Sequence, residues 1–534
     1  MRKYLTPSRR MIVGLALAGL LATTSMQVAA ASRQGGDPAV VSTDNGPVRG
    51  TVADDHRSFQ GIPYAAPPTG ERRWRSPQPA ARWSGVRDAT EPGSSCPQNQ
   101  GFLPDDRGSI DEDCLFLNVT TPPRPAGPRP VMVFMHGDGF ANGSSRPYGA
   151  RPLAIGGDVV VVTVNYRINV FGFLAHPDLP GSGNFGIEDQ QAALRWVQRN
   201  VAAFGGDSRN VTVFGESAGA TSTCAHLLSP GSAGLFHRAI IQSGACTMRR
   251  TYLNDWGFQP SHDAERRGRA LAEQHGCTDA ATLATCLRGK TVAQLLDMPD
   301  GGFGFGPVHG DNSVLPRDPE QALKSGRFNQ VPVMHGTTRD EHRTFTAGLE
   351  LMLGRVLQPG DYPKEIHANF GTDAHRVLAE YPLGGQNPSI ALSKVATDSS
   401  WGCQALFTDR LFARYVPTYA FEFADRNAPW FAGVDRPSFP TGAFHGGELQ
   451  YLFDGAYGTG ALTADQRRLS DRMVRYWSGF ARNGHPNNPG MPWWPRFHRT
   501  SEPVLSLNTG AGGIRPVDFD REHRCQFWRE VGQD

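Results

Sequence analysis

Short apolar runs closed by turn signals recur through the middle of the chain. Residues 131–135 (VMVFM) lie between Pro130 and His136-Gly137, and residues 158–164 (DVVVVTV) precede Asn165. Further runs are 211–214 (VTVF), 239–242 (AIIQ) and 331–334 (VPVM). Runs this brief and this apolar predict strands buried on both faces. At 418–423, Tyr419, Phe421 and Phe423 fall on one face, again the period of a strand. The pattern at 187–204 is different: Leu194, Val197 and Val201 recur at three-to-four spacing and predict a helix. Residues 218–228 continue as a second helix. Strand, helix, strand, helix implies parallel pairing through crossover helices. The fold class is therefore α/β, with a large, mostly parallel central sheet and helices on both faces.

The flanks read differently. Residues 48–52 and 59–65, rich in Gly and Pro, predict short strands and turns of an N-terminal β region. Across 246–310 the pattern breaks into helical pieces such as 264–275 and 292–296, with the Gly-rich stretch 301–306 (GGFGFG). This predicts a helical insertion over one end of the sheet, and a second spans 343–415. Phe303 and Phe305 are available to line a pocket there, although aromatic residues of this kind more often pack. The clearest helix is at the C-terminal side. Thr463-Ala464-Asp465-Gln466 forms a capping-box pattern, Leu469, Met473, Trp477 and Phe480 recur on one side, and Gly484 with Pro486 stops it.

Composition narrows the function classes. In 534 residues, 53 Lys and Arg balance 51 Asp and Glu, a net charge of +2 without long like-charged blocks. Nucleic acid and the membrane surface gain no electrostatic support as partners. Arg2, Lys3, Arg9 and Arg10 precede an apolar run at 11–22, and Val28-Ala29-Ala30-Ala31 offers small residues for cleavage near Ala30 or Ala31. Residues 1–31 thus read as a signal peptide, and 32–534 as a single secreted domain. Ser8-Arg9-Arg10 partly matches a twin-arginine signal, but the general secretory route suits a disulfide-bearing protein. No stable membrane insertion is expected, since nothing later is long and apolar enough to span. All eight cysteines lie in the exported part, and in an oxidising compartment an even count reads as bridges. Neither C-x-x-C nor H-E-x-x-H spacing argues for a metal.

The candidate chemistry centres on Gly215-Glu216-Ser217-Ala218-Gly219, directly after the apolar run 211–214. A serine between glycines, after a strand and before a helix, fits the strained nucleophile elbow that lifts Oγ clear of a sheet. The amides at the start of the following helix would face negative charge developing there. Ser243-Gly244 reads as a structural turn.

The run 204–219 (FGGDSRNVTVFGESAG) resembles the first signature of the type-B carboxylesterase and lipase family, the cholinesterase-like α/β-hydrolases. Residues 112–119 (EDCLFLNV) resemble the second signature, and 59–65 (FQGIPYA) is also typical. The resemblance implies an α/β-hydrolase fold and a secreted carboxylesterase of bacterial type. Its oxyanion-hole motif, H-G-G-G, appears here as His136-Gly137-Asp138-Gly139. By analogy the amides of Asp138, Gly139 and Ala218 are the donors, with the Asp138 side chain turned away. Two acids adjoin at Asp340-Glu341, and the family motif selects Glu341 as the triad acid. His445, in Gly442-Ala443-Phe444-His445-Gly446-Gly447-Glu448, resembles the family's catalytic histidine segment. Ser217, Glu341 and His445 follow the order nucleophile, acid, base. The family also suggests disulfides Cys96 with Cys114, Cys277 with Cys286 and Cys403 with Cys525, leaving Cys224 and Cys246 for each other.

What this predicts is hydrolysis of a small-molecule ester through an acyl-enzyme, without metal or cofactor, by a chain expected to act as a monomer. The loop 97–113 (PQNQGFLPDDRGSIDED) lacks the tryptophan with which cholinesterases stack choline, so quaternary ammonium substrates are disfavoured. Short-to-medium acyl esters are expected. A lipase acting on longer chains, or a hydrolase-fold binding protein that has lost its chemistry, are the alternatives.

Overall fold

The structure is a computed structural model and describes residues 37–101, 107–123, 127–179, 181, 183–248, 257–455 and 460–532. The signal segment read at 1–31 lies outside them. Eleven strands among the described residues form the central sheet. They are β1 Thr51–Val52, β2 Arg57–Pro63, β3 Phe116–Thr121, β4 Arg129–Met135, β5 Val160–Val164, β6 Gly206–Glu216, β7 Arg238–Gln242, β8 Val333–Thr338, β9 Thr418–Phe423, β10 Val504–Leu507 and β11 Arg515–Val517. The order across the sheet is β11-β10-β9-β8-β7-β6-β4-β5-β3-β2-β1. From β5 to β10 every pairing is parallel, whereas β1 to β3 and β11 attach antiparallel at the two edges.

Burial explains the apolar runs. Along β4, Val131, Val133 and Met135 face one core while Met132 and Phe134 face the other. Helices α1 (Phe185–Asn200), α2 (Ala218–Leu228), α3 (Arg343–Leu353), α4 (Pro388–Ala396) and α5 (Ala464–Asn483) surround the sheet. Several sequence-based boundaries shift. The helix read at 187–204 ends at Asn200 and tightens into a 3₁₀ turn, Val201–Phe204, before Gly205 at φ 90°. The strand read at 331–334 begins at Val333, because Pro332 has no N–H for the ladder. At 418–423 the alternation understates burial. All six residues are buried, since β9 lies between β8 and β10.

The long connections carry short elements. Between β7 and β8 run helices Ser261–Gln274, Leu283–Arg288, Val292–Leu296 and Pro319–Lys324, with a parallel pair joining Gln259–Pro260 to Val308–His309. There Phe305 enters the core and Phe303 stays 42% exposed. Between β8 and β9, α4 passes into a π-helical turn, Thr397–Gly402, and then helix Cys403–Phe412. The capping box at Thr463 and Gln466 starts α5, and Gly484 at φ 77° ends it. Disulfides join Cys96–Cys114, Cys224–Cys246, Cys277–Cys286 and Cys403–Cys525. Among the described residues, no helix is long and apolar enough to cross a membrane.

Candidate active site

Parallel strands deliver their following loops to one rim of the sheet, the usual place for chemistry in α/β folds. Here β4 is followed by His136, β6 by Ser217, β7 by Ser243 and β8 by Glu341, and His445 lies in the loop beyond β9. In-register pairing of Met135 with Gly215, and of Glu216 with Gln242, brings these ends level.

Ser217 adopts φ 58° and ψ −121°, strained for a side-chain-bearing residue. Its amide donates to Gln242 O at 2.9 Å, and its carbonyl accepts from Thr221 N at 3.0 Å. The flanking glycines are required by close approach. A Cβ on Gly219 would stand 1.9 Å from Met135 O, and one on Gly215 2.3 Å from Gly219 O. Ala218 is the first residue of α2, where backbone N–H groups have no intrahelical acceptor.

The loop after β4 lies against this elbow: a Cβ on Gly137 would stand 3.0 Å from Ser217 Cβ. Asp138, Gly139 and Phe140 take positive φ in succession, 66°, 63° and 57°. Asp is among the side chains that tolerate this region. Asp138 Oδ2 sits over Gly143, 2.9 Å from where a Cβ there would be, beside His136 Nδ1. His136 stacks on Tyr166 at 4.3 Å, and Tyr166 OH donates to His136 O at 2.7 Å. Burial lowers the His136 pKa to about 4, so its ring is a neutral support for the loop.

His445 and Glu341 meet across the rim, Nδ1 to Oε2 at 2.7 Å, and Glu341 Oε1 accepts from Thr338 N at 2.7 Å. The neighbouring acid has another task. Asp340 accepts from Arg426 at 2.8 and 3.0 Å, pairs with Arg343 at 3.0 Å, and accepts from Ala443 N at 3.0 Å. It pins the loop that carries His445. Burial opposes its ionisation, but these partners hold the Asp340 carboxyl below its ordinary range. Ser217, Glu341 and His445 are respectively 9%, 0% and 7% exposed.

Two carboxyls missed as site residues join them, Glu216 and Glu448. Glu216 Oε1 lies 3.1 Å from His445 Nε2, yet the geometry is not that of a hydrogen bond and both atoms stay unsatisfied. Glu448 Oε1 accepts from Gln242 Nε2 at 3.0 Å, and Gln242 Oε1 accepts from Trp477 Nε1 at 3.0 Å. Burial raises both carboxyls, Glu216 well above its ordinary value and Glu448 to about 7. Burial would depress His445, but Glu216 and Glu341 outweigh it and lift its pKa to about 9. The signal was present in sequence: both acids sit inside the quoted motifs, Glu216 at the end of an apolar run where a charge must be buried. Among the described residues no cluster of three or more His, Cys, Asp or Glu side chains has metal-holding geometry.

Comparison with known proteins gives a consistent picture. The carboxylesterase family profile matches residues 37–528. Human cocaine esterase is 33% identical over 515 residues, covering 89% of this chain and 87% of that protein. Mouse acylcarnitine hydrolase is 33% identical over 514 residues, 91% and 88% of the two chains. Mouse cholinesterase is 34% identical over 539 residues, 92% and 86% of the two chains.

Proposed function

We propose that this chain, which belongs to the carboxylesterase family and is a carboxylic ester hydrolase, works as a secreted serine esterase with a Ser217, His445, Glu341 triad. The observation that carries the reading is the 2.7 Å contact between His445 Nδ1 and Glu341, with Nε2 left unsatisfied beside the elbow. Glu341 fixes the tautomer that leaves the Nε2 lone pair available. His445 Nε2 accepts the Ser217 proton as Oγ attacks the acyl carbon, then returns it to the departing alcohol. Water, activated by the same nitrogen, releases the acid.

The amides of Ala218, Gly139 and Asp138 receive the oxyanion. The position of the Asp138 carboxylate over Gly143 supports a side chain turned into its own loop, away from the oxyanion. Three buried carboxyls around one imidazole cannot all stay ionised. Glu216, whose Oε1 has no hydrogen-bond donor, takes the proton, and this returns His445 toward the range in which it acts as a base.

Short-to-medium acyl esters are the proposed substrates, since the rings of Trp401 and Phe345 stand 4.8 and 5.0 Å from His445 and crowd the reacting centre. Four disulfides support an oxidising, extracellular destination. The test is Ser217→Ala with p-nitrophenyl butanoate: turnover falls to background, and activity kept near wild type rejects the nucleophile. In a chain-length series, kcat/KM rising steadily past about twelve carbons rejects the substrate range.

A further inference from the structure

His342 follows the triad acid and has no part in the proton transfers above. Its backbone is fixed on both sides: its amide donates to Thr397 Oγ1 at 3.0 Å, and its carbonyl accepts from Thr346 N at 2.9 Å. The side chain is buried, the residue being 1% exposed. Trp401 Nε1 donates to His342 Nδ1 at 3.4 Å. An indole nitrogen only donates, so Nδ1 holds a lone pair and the proton of the neutral ring resides on Nε2. Burial, and then the charge of His445, lower the pKa of the ring to about 3. Nε2–H is thus a permanent donor over any working pH, and it has no acceptor among the described residues.

Its surroundings offer none. The Phe345 ring is 5.1 Å away and lies 5.0 Å from His445. The π-helical turn Thr397–Gly402 places Trp401 5.4 Å from Phe345 and 4.8 Å from His445. Ala245 and Met248 pack on Trp401 in a small cluster separate from the main cores. The rings of Phe345 and Trp401 thus link His342 to the reacting histidine, and within this ring cluster the Nε2–H of His342 is an unmatched donor. A buried donor without a partner costs about 1–3 kcal/mol. A site that bears this cost discriminates strongly in favour of a ligand that supplies the acceptor.

We propose that His342 Nε2–H is a specificity-determining donor for esters carrying an acceptor oxygen (ether, oxo or hydroxyl) near the scissile carbonyl. The proposal rests on the Ser217 esterase reading and names the substrate class of that site. The oxygen belongs either to the acyl chain or to the alcohol, and isosteric pairs separate the two. On the acyl side the pair is p-nitrophenyl methoxyacetate and p-nitrophenyl butanoate; on the alcohol side it is 2-methoxyethyl butanoate and butyl butanoate.

For one pair, His342→Leu lowers kcat/KM for the ether at least about tenfold more than for its hydrocarbon partner, and His342→Gln, which keeps an N–H, recovers most of the difference. The responsive pair identifies the side. Equal falls for both members of each pair, or no change in any, overturn the proposal. If the Leu variant does not fold, the wild type decides. Its ether-to-hydrocarbon kcat/KM ratio must exceed the ratio of the hydroxide-catalysed rates for at least one pair, and equality in both pairs overturns the proposal. A wild type that hydrolyses every ester without such preference rejects the donor alone, whereas hydrolysis that survives Ser217→Ala rejects the esterase reading beneath it.

Discussion

Two buried histidines, each set between two carboxyls, behave as opposites. His523 donates from Nδ1 to Asp398 and from Nε2 to Glu422, both at 2.7 Å. Asp398 also accepts from Lys394 at 2.7 Å and Tyr381 OH at 2.9 Å, Glu422 accepts from Arg339 at 2.9 Å, and Glu522 pairs with the same arginine. Three acids meet three cations, so the charge closes. His445 has one good bond, to Glu341, and faces Glu216 through a nitrogen that bonds nothing. Among the described residues no Lys or Arg pairs with Glu216, Glu341 or Glu448. Burial opposes the charge of both imidazoles, and their carboxyl partners lift both to about 9. A shifted pKa therefore does not distinguish them. The difference is whether the network is complete, which stabilises, or one atom short, as the proposed active site requires.

Crossed substitutions break this comparison most sharply. His445→Gln is expected to lower kcat/KM by about 10⁴ or more while thermal unfolding changes little. His523→Ala strands two buried carboxylates and is expected to cost about 3–5 kcal/mol in denaturant unfolding, with kcat of the folded fraction retained. Loss of activity without loss of stability at position 523 would erase the distinction.

The pH dependence sharpens it. Because Glu216 is held to be neutral, Glu216→Gln is expected to leave the acid limb of the kcat/KM profile in place, and a limb that moves to lower pH would mean that an ionised Glu216 had been raising His445. For stability, the folded pKa of His523 lies above its unfolded value of about 6.5. Its contribution, about 3 kcal/mol, is complete below that value and is lost as pH rises through about 9. Unfolding measured from pH 6 to 10 should fall less steeply in His523→Gln than in wild type. The smallest expected effect is at Asp138→Gly, a change of ester turnover below about tenfold, and a larger gain would mean that the carboxylate opposes the oxyanion.

How much of this was legible in sequence differs by kind of residue. The elbow could be read locally, because strand, Gly-x-Ser-x-Gly and helix are consecutive. Glu341 and His445 could not, being 104 residues apart and joined only by the convergence of loops after β8 and β9; a resemblance to known relatives supplied them. Periodicity recovered the central strands but not the full burial of β9, which depends on its neighbours in the sheet. His342, Trp401 and His523 gave no signal, since a lone His or Trp in a polar stretch acquires meaning only from what the fold packs against it.

The most direct test of the account is labelling with a serine-reactive phosphonate followed by peptide mass analysis. One adduct per chain on the Ser217 peptide, formed in parallel with loss of p-nitrophenyl butanoate turnover and absent from His445→Gln, is the predicted result. Full inhibition with the adduct on another residue, or undiminished turnover with Ser217 fully modified, would contradict it.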